Sequence, residues 1–412
     1  MIEFERFVLD NGLKVILHRD TSTPMVAVNL LYDVGARDEH PDQTGFAHLF
    51  EHLMFEGSAN IPLIDEALQL AGGESNAFTS NDITNYYLTI PAQNLETALW
   101  IESDRMLELP FSEEKLTIQK NVVTEEYRQS YLNQPYGDVW MLLRDLVYKV
   151  HPYQWPTIGK SIDHIQMAEM AQVRDFFYRF YRPNNAILVL AGNIEPKRGF
   201  ELVNKWFGGI PSGVKNDRDL PQEQPQKESR ALTVYRDVPF DEIYIAFPMG
   251  RRKDPDYFAA DLISDILAGG RSGRLRENLV KKRKIFSEVN AWITGSLDNG
   301  FITLMGRLHK GESVEEAEQL LWNEINKLRN LLIPDDELQK VKNKVEANNT
   351  FSEITVLSKA MNLAFYELLG DANMINQQNE QYFRVSADQL QAVANEIFMP
   401  ERASILKYLA QK

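Results

Sequence analysis

Two histidines and a glutamate crowd into five consecutive residues of the run TGFAHLFEHLMF, at positions 44–55. On a helix, side chains four apart share a face, so His48 and His52 can offer two imidazoles to one ion while Glu51 sits beside them. Neutral imidazoles suit zinc, and a carboxylate one residue before the second histidine is placed to take a proton from water. Glu51 is the expected general base. The order His-x-x-Glu-His reverses the commoner His-Glu-x-x-His and has a mechanistic class of its own. Around it, Phe46, Leu49, Phe50, Leu53, Met54 and Phe55 are apolar, so the helix is expected to be buried on most sides. Buried histidines often do no more than hydrogen-bond. Two of them with a carboxylate, however, carry a desolvation cost that a purely structural element has little reason to bear.

A catalytic zinc needs a third protein ligand and keeps one position open. The chain has no cysteine, so the third ligand is a histidine or a carboxylate. The helical run at 113–131 offers one. Projected at about 100° per residue, Leu116, Val122, Val123 and Tyr127 mark an inward face, with Glu126 between Val122 and Val123. A glutamate on an apolar face is costly unless paired or bound to a cation. Glu126 is therefore the expected third ligand, and Glu125 is expected to face solvent.

The elements that must position these groups follow from periodicity and turn chemistry. Residues 4–9 and 13–18 alternate around Asn11-Gly12, a strong hairpin signal, and Met25–Tyr32 is a further apolar strand. Residues 35–43 form a polar loop, Thr44 is a candidate cap for the metal-site helix, and 64–71 reads as a short helix ended by Gly72-Gly73. Strand character returns at 76–79 and 84–90, and helical period at Leu95–Leu107, 113–131, 139–150 and 167–178. A buried strand follows at 186–191.

Between 208 and 229 the composition turns to prolines and polar residues with little to bury, which reads as a linker. Beyond it the grammar of the first half recurs, the run from Tyr235 matching the run from His18 before an apolar helix at 258–267 that carries no His-Glu-His cluster. The expected fold is α+β: two homologous domains, 1–207 and 230–412, each an antiparallel-rich sheet covered by helices and joined by a Pro-rich linker at 208–229. The first holds the metal site.

At 412 residues the chain exceeds one ordinary core. A formal net charge of -15 argues against nucleic acid, whose binders carry basic stripes. Without cysteine there are neither disulfides nor thiolate ligands. No apolar run is long enough to cross a bilayer. The N-terminus lacks a signal-peptide pattern, so the cytoplasm is the default compartment, with the periplasm the alternative if the chain is a processed form.

HLFEH at 48–52 followed by VVTEE at 122–126 resembles the pitrilysin or insulinase family of inverted zinc metallopeptidases. GGESNAFTSNDITNYY from Gly72, HPYQWPTIG from His151, YRPNN from Tyr181 and GGRSGRL from Gly269 resemble further family landmarks in the same order. Length places the resemblance with the two-domain branch of the mitochondrial processing peptidase and its bacterial relatives. The resemblance implies a zinc endopeptidase that encloses a peptide in a chamber between two facing halves. It implies that His48, His52 and Glu126 hold Zn2+, that Glu51 is the base, and that Ser75, Asn76, Ala77 and Phe78 form a sheet edge that binds the peptide as an added strand. For Asn76 the competing reading is a strand-end turn residue.

Two departures from the family pattern bear on function. Seven residues before Glu126, where many relatives have a second glutamate supporting the metal site, stands Gln119, which keeps hydrogen bonding and loses a charge. In the second half, relatives or their partner subunits carry an Arg and a Tyr that bind the substrate carbonyl region. The gapless match at 279–287 puts Val280 and Ser287 there, with no tyrosine from Arg274 to Gly300. The expected partner is a homologous subunit that supplies the Arg and Tyr in a heterodimer, with a homodimer as the fallback. The competing classes are a non-catalytic scaffold or core subunit of a larger complex and another zinc hydrolase. Retention of all four metal-site residues argues for the enzyme, and the edge-strand motif for a peptide substrate.

Overall fold

The computed structural model describes residues 1–411, and it is α+β. β1 (Glu5–Val8) and β2 (Lys14–Arg19) pair antiparallel across the Asn11-Gly12 turn, where Gly12 takes φ 89°. β3 (Met25–Tyr32) leads into α1 (Phe46–Leu53) and α2 (Ile64–Leu70). β4 (Glu74–Thr79), β5 (Thr84–Pro91), α3 (Leu95–Leu107), α4 (Glu113–Tyr127), α5 (Val139–Val147) and β6 (Ala186–Gly192) follow in the first half, together with the helices Ile162–Gln166, Met170–Phe180 and Pro196–Phe207. Its six strands lie in the order β1-β2-β6-β3-β5-β4. β3 and β6 sit inside this sheet and are apolar and buried nearly end to end, as strands covered on both faces should be. β4 lies at the edge and pairs only with β5.

The second sheet contains β7 (Arg230–Arg236), β8 (Glu242–Pro248), β9 (Phe286–Ile293), β10 (Phe301–Leu308) and β11 (Ser404–Ala410), in the order β7-β11-β8-β10-β9. Strand for strand this repeats β2-β6-β3-β5-β4. In each sheet the first pair of that series is parallel and the others are antiparallel. The topology thus bears out the repeat expected from the runs at His18 and Tyr235. It also exposes a closer repeat that the sequence reading missed: edge strand β9 carries Asn290-Ala291-Trp292 where edge strand β4 carries Asn76-Ala77-Phe78.

The compact units differ from the contiguous halves 1–207 and 230–412. One comprises Met1–Arg128, Trp155–Leu220 and Thr350–Gln377; the other comprises Gln129–Gln154, Pro221–Asn349 and the chain from Gln378 onward. The reason is the covering of apolar sheet faces. In the second unit Val139, Leu143 and Val147 of α5 pack on Tyr244, Ala246, Phe301, Met305, Leu406 and Tyr408. In the first unit the helix Val356–Leu369 packs on β3 and β6. Its buried Glu367 pairs with Arg6 at 2.6 Å, and Lys359 with Asp20 at 2.6 Å. The Lys359 ammonium, helped by Ser22, holds the Asp20 carboxyl well below the usual carboxylate range.

The expected linker forms neither helix nor strand, yet charge ties it down. In the first unit Arg218 binds Asp38 at 2.6 Å and Asp33 at 2.8 Å. In the second, one carboxylate oxygen of Glu223 accepts the amides of Lys149, Val150 and His151 at 2.6, 2.6 and 2.8 Å.

Candidate metal centre

α1 buries Phe46, Ala47, Leu49, Phe50 and Leu53, the apolar stripe its sequence shows. Phe50 stacks on Phe176 (5.2 Å between centroids) and Tyr181 (5.0 Å), and the Tyr86 hydroxyl on β5 donates to the Phe50 carbonyl at 3.2 Å. At the far end Arg105 of α3, ion-paired with Glu102 in the interior, reaches the Met54 carbonyl at 3.5 Å, where a cation complements the helix dipole. With one side fixed in this way, the side bearing His48, Glu51 and His52 has a single orientation.

The start of α1 differs from the expected Thr44 cap. Gly45 is the N-cap, and its φ of 92° turns Thr44 away from the helix. Thr44 Oγ1 instead hydrogen-bonds with His164 Nδ1 at 2.8 Å and accepts the Lys160 amide at 2.8 Å. A Cβ on Gly45 would lie 2.5 Å from Ile165 Cδ1 and 2.7 Å from the Ile158 carbonyl oxygen. Gly45→Ala should therefore cost about 2–4 kcal/mol through left-handed strain and overlap. A urea titration would show this as a lower midpoint at unchanged slope. A midpoint equal to that of the unaltered chain would mean that the turn accepts a side chain.

His48 and His52 both direct Nε2 at Glu126 of α4, at 3.6 Å and 3.4 Å. Among the described residues, these three form the one group of His, Asp or Glu whose donor atoms lie within 4.8 Å of one another. Zinc with arms of ~2.1 Å in a tetrahedron holds its ligands ~3.4 Å apart, close to the two imidazole–carboxylate distances, which run to different oxygens of Glu126. Protonation fits as well. Burial, reinforced by His52 and opposed by Glu126, keeps the His48 imidazole below its ordinary pKa and so in the neutral, ligating form. The adjacent His52 holds the Glu126 carboxyl below the usual carboxylate range, against the effect of burial.

Glu125 points outward and pairs with Arg128 at 3.6 Å. Val122 departs from the expected inward face: it is 43% exposed. The buried stripe of α4 runs through Leu116, Gln119, Val123 and Tyr127, at helical spacings of three and four, and leaves Val122 on the flank. Gln119 is buried there, and its amide donates to the Glu56 carboxylate beyond the end of α1. It holds α4 against the turn after α1 and has no hydrogen bond to His48, His52 or Glu126.

Comparison with known proteins agrees with this geometry. The profile described as "Insulinase (Peptidase family M16)" matches residues 14–159, and that of the "Peptidase M16 inactive domain" matches 168–345. The zinc protease PqqE of Helicobacter pylori is 28% identical over 400 residues, covering 96% of this chain and 90% of the relative. The chain belongs to the insulinase family, M16. A probable mitochondrial-processing peptidase subunit beta of Arabidopsis thaliana is 21% identical over 82% of this chain and 66% of its own length. The crystal structure of a protease from Helicobacter pylori superposes with a TM-score of 0.92 at 27% identity, over 99% of this chain and 100% of that one. Zinc is the cofactor that the relatives' names and this donor set share.

In this M16 chain, Ser75, Asn76, Ala77 and Phe78 all lie on β4, the open edge beside α1. Asn76 is exposed in mid-strand, and its Oδ1 accepts the Ala77 amide at 2.8 Å, so the side chain covers an edge donor. In the second unit, Val280 packs against the hydrophobic core and the Ser287 hydroxyl donates to the Arg307 carbonyl at 3.1 Å. The helix Tyr257–Ala268, counterpart of α1, carries Asp261 and Asp265, which are engaged by the Tyr382 hydroxyl and, at 2.7 Å, by the Lys344 ammonium.

Proposed function

We propose that this chain is a zinc endopeptidase acting on peptides or unfolded segments, and the catalytic subunit of a heterodimer. The observation that carries the reading is the convergence of His48, His52 and Glu126, with Glu51 on the same short helix, beside an open sheet edge. His48, His52 and Glu126 would hold the ion. Bound zinc supplies Lewis-acid polarisation and makes water a competent nucleophile at neutral pH. The chain's own residues do the rest. A peptide laid along β4 as a further strand exchanges main-chain hydrogen bonds with the edge, displacing Asn76 Oδ1 from the Ala77 amide. Backbone pairing of this kind tolerates many side chains. Glu51 accepts a proton from the attacking water and returns it to the amide nitrogen as the C–N bond breaks.

Zinc content by elemental analysis, with cleavage of a quenched peptide before and after chelation, tests this reading. A chain that takes up no zinc, or whose cleavage survives chelation, refutes it. The ligand set has a sharper test. Glu126→Ala should lose both metal and activity, whereas Glu125→Ala, which removes only an exposed partner of Arg128, should stay within about twofold of the original in both. The reverse pattern would move the third ligand to Glu125.

A further inference from the structure

The helix that carries both histidines and the base starts without a cap of its own. Gly45 has no side chain to offer, and Thr44 is committed to Lys160 and His164. The first-turn amides of a helix need acceptors from elsewhere. Glu39 supplies them: Oε2 accepts the Gly45 amide at 2.9 Å and Oε1 accepts the Ala47 amide at 2.9 Å. A third donor, Trp155 Nε1, reaches Oε2 at 3.1 Å and also donates to the Ala36 carbonyl at 2.8 Å. Glu39 as a whole is 6% exposed. Burial pushes the Glu39 carboxyl above the usual carboxylate range, and the same three N–H donors, all of which favour the ionised, acceptor-only form, pull against that rise.

The loop that presents Glu39 is held on both sides. Asp38 accepts the Gly35 amide at 3.0 Å and binds Arg218 at 2.6 Å. Buried Arg37 reaches Asp33 at 3.4 Å and Asp82 at 3.3 Å. Ala47, whose amide Glu39 fixes, is followed directly by His48. A small rotation of the first turn would therefore swing Nε2 of His48 away from Glu126 before it disturbed the buried far end of α1.

We propose that Glu39 is a positioning residue for the metal centre: by bridging the Gly45 and Ala47 amides, it sets the rotation of α1 that aims His48 and His52 at Glu126. This rests on the zinc reading of those three residues. A glutamine cannot replace it. Three N–H groups converge on two oxygens, and an amide would turn its NH2 against at least one of them. Trp155→Phe provides the comparison, since it also removes a buried hydrogen bond to Glu39 but leaves both bonds to α1 in place.

The test measures zinc affinity by competition with a chromophoric chelator, on the full chain, together with the melting temperature. Glu39→Gln should weaken zinc 10- to 100-fold, the usual range for a residue that orients ligands, while Trp155→Phe stays within about threefold although both variants melt earlier. Unchanged zinc affinity in Glu39→Gln, or equal weakening in both variants, would overturn the proposal and leave Glu39 a stability residue.

Hydrogen exchange on the unaltered chain decides the matter even if Glu39→Gln fails to fold. The Gly45 and Ala47 amides should be protected to the same degree with and without zinc. Protection that appears only on adding zinc would show that the metal, and not Glu39, orders the turn. Lack of zinc uptake by the unaltered chain would refute the peptidase reading instead, and the exchange of these two amides in the metal-free chain would still judge Glu39.

Discussion

Glu51→Gln is expected to leave zinc content unchanged and to lower peptide hydrolysis by about 10²–10⁴-fold, the usual contribution of a positioned proton acceptor. Glu51 is half-buried on α1 and immediately precedes His52, yet it is not one of the three donors that converge. Burial holds the His48 pKa down, and the Glu51 carboxylate on the same helix is among the charges that oppose that effect. Glutamine matches glutamate in shape and preserves the packing of Leu49, Phe50 and Leu53, so the ligands should not move. It cannot accept a proton at neutral pH. The decisive comparison sets zinc per chain by elemental analysis beside kcat for a quenched peptide. His48→Ala, by contrast, should lose both together. A Glu51→Gln enzyme with near-normal kcat would remove Glu51 from the mechanism, and one that lost its zinc would make Glu51 a ligand.

Much of the site was legible because local periodicity carries it. Residues four apart on a helix must share a face, so His48 and His52 needed no tertiary information. Glu126 could be separated from Glu125 by projection alone. The same projection erred at Val122, because an apolar side chain on the flank of a helix is permitted to meet water, and sequence does not reveal which apolar residues do. Thr44 was misread for a different reason. A threonine before an apolar run is a sound capping signal, but the left-handed Gly45 reverses the chain at that point and hands the cap to Glu39. Glu39 itself gave no signal, since its role depends on a loop folding back over nine residues of chain.

The strand pattern and the repeat were readable, as hairpin chemistry and alternation are local properties. The assignment of covering helices was not. α5 and the helix Val356–Leu369 are amphipathic segments that could cover either sheet as far as their sequences go, and long-range packing places each on the sheet of the other half. Contiguity in sequence is a weak guide wherever two sheets of like topology compete for similar helices. The Asn-Ala-aromatic repeat on β9 was present in the sequence and became visible only when the strand orders aligned.

Purified alone, the chain is expected to cleave peptides poorly, and a homologous chain that brings the Arg and Tyr should raise turnover by about 10²–10³-fold for each donor group it supplies. The expectation rests on two positions. Val280 is an aliphatic side chain packed on the hydrophobic core, and Ser287 spends its hydroxyl on the Arg307 carbonyl. Neither can offer a charge or a phenol to a substrate carbonyl. Stabilising the oxyanion that develops there needs donors already in place, because reorienting them during the reaction consumes the gain. Under the proposed heterodimer, an intact metal group in a chain without these donors implies a division of labour, with a partner expected to bring the Arg and Tyr. Mass measurement and peptide turnover should be made on this chain alone and on its mixture with the candidate homologue. Restoring the residues in cis, as Val280→Arg with Ser287→Tyr, would distinguish missing donors from a missing surface. Recovery by the double variant would locate the deficit at those positions, and recovery only with the partner would locate it in contacts between the chains. Full turnover by the lone chain, unchanged by either addition, would mean that the substrate carbonyl finds its donors elsewhere.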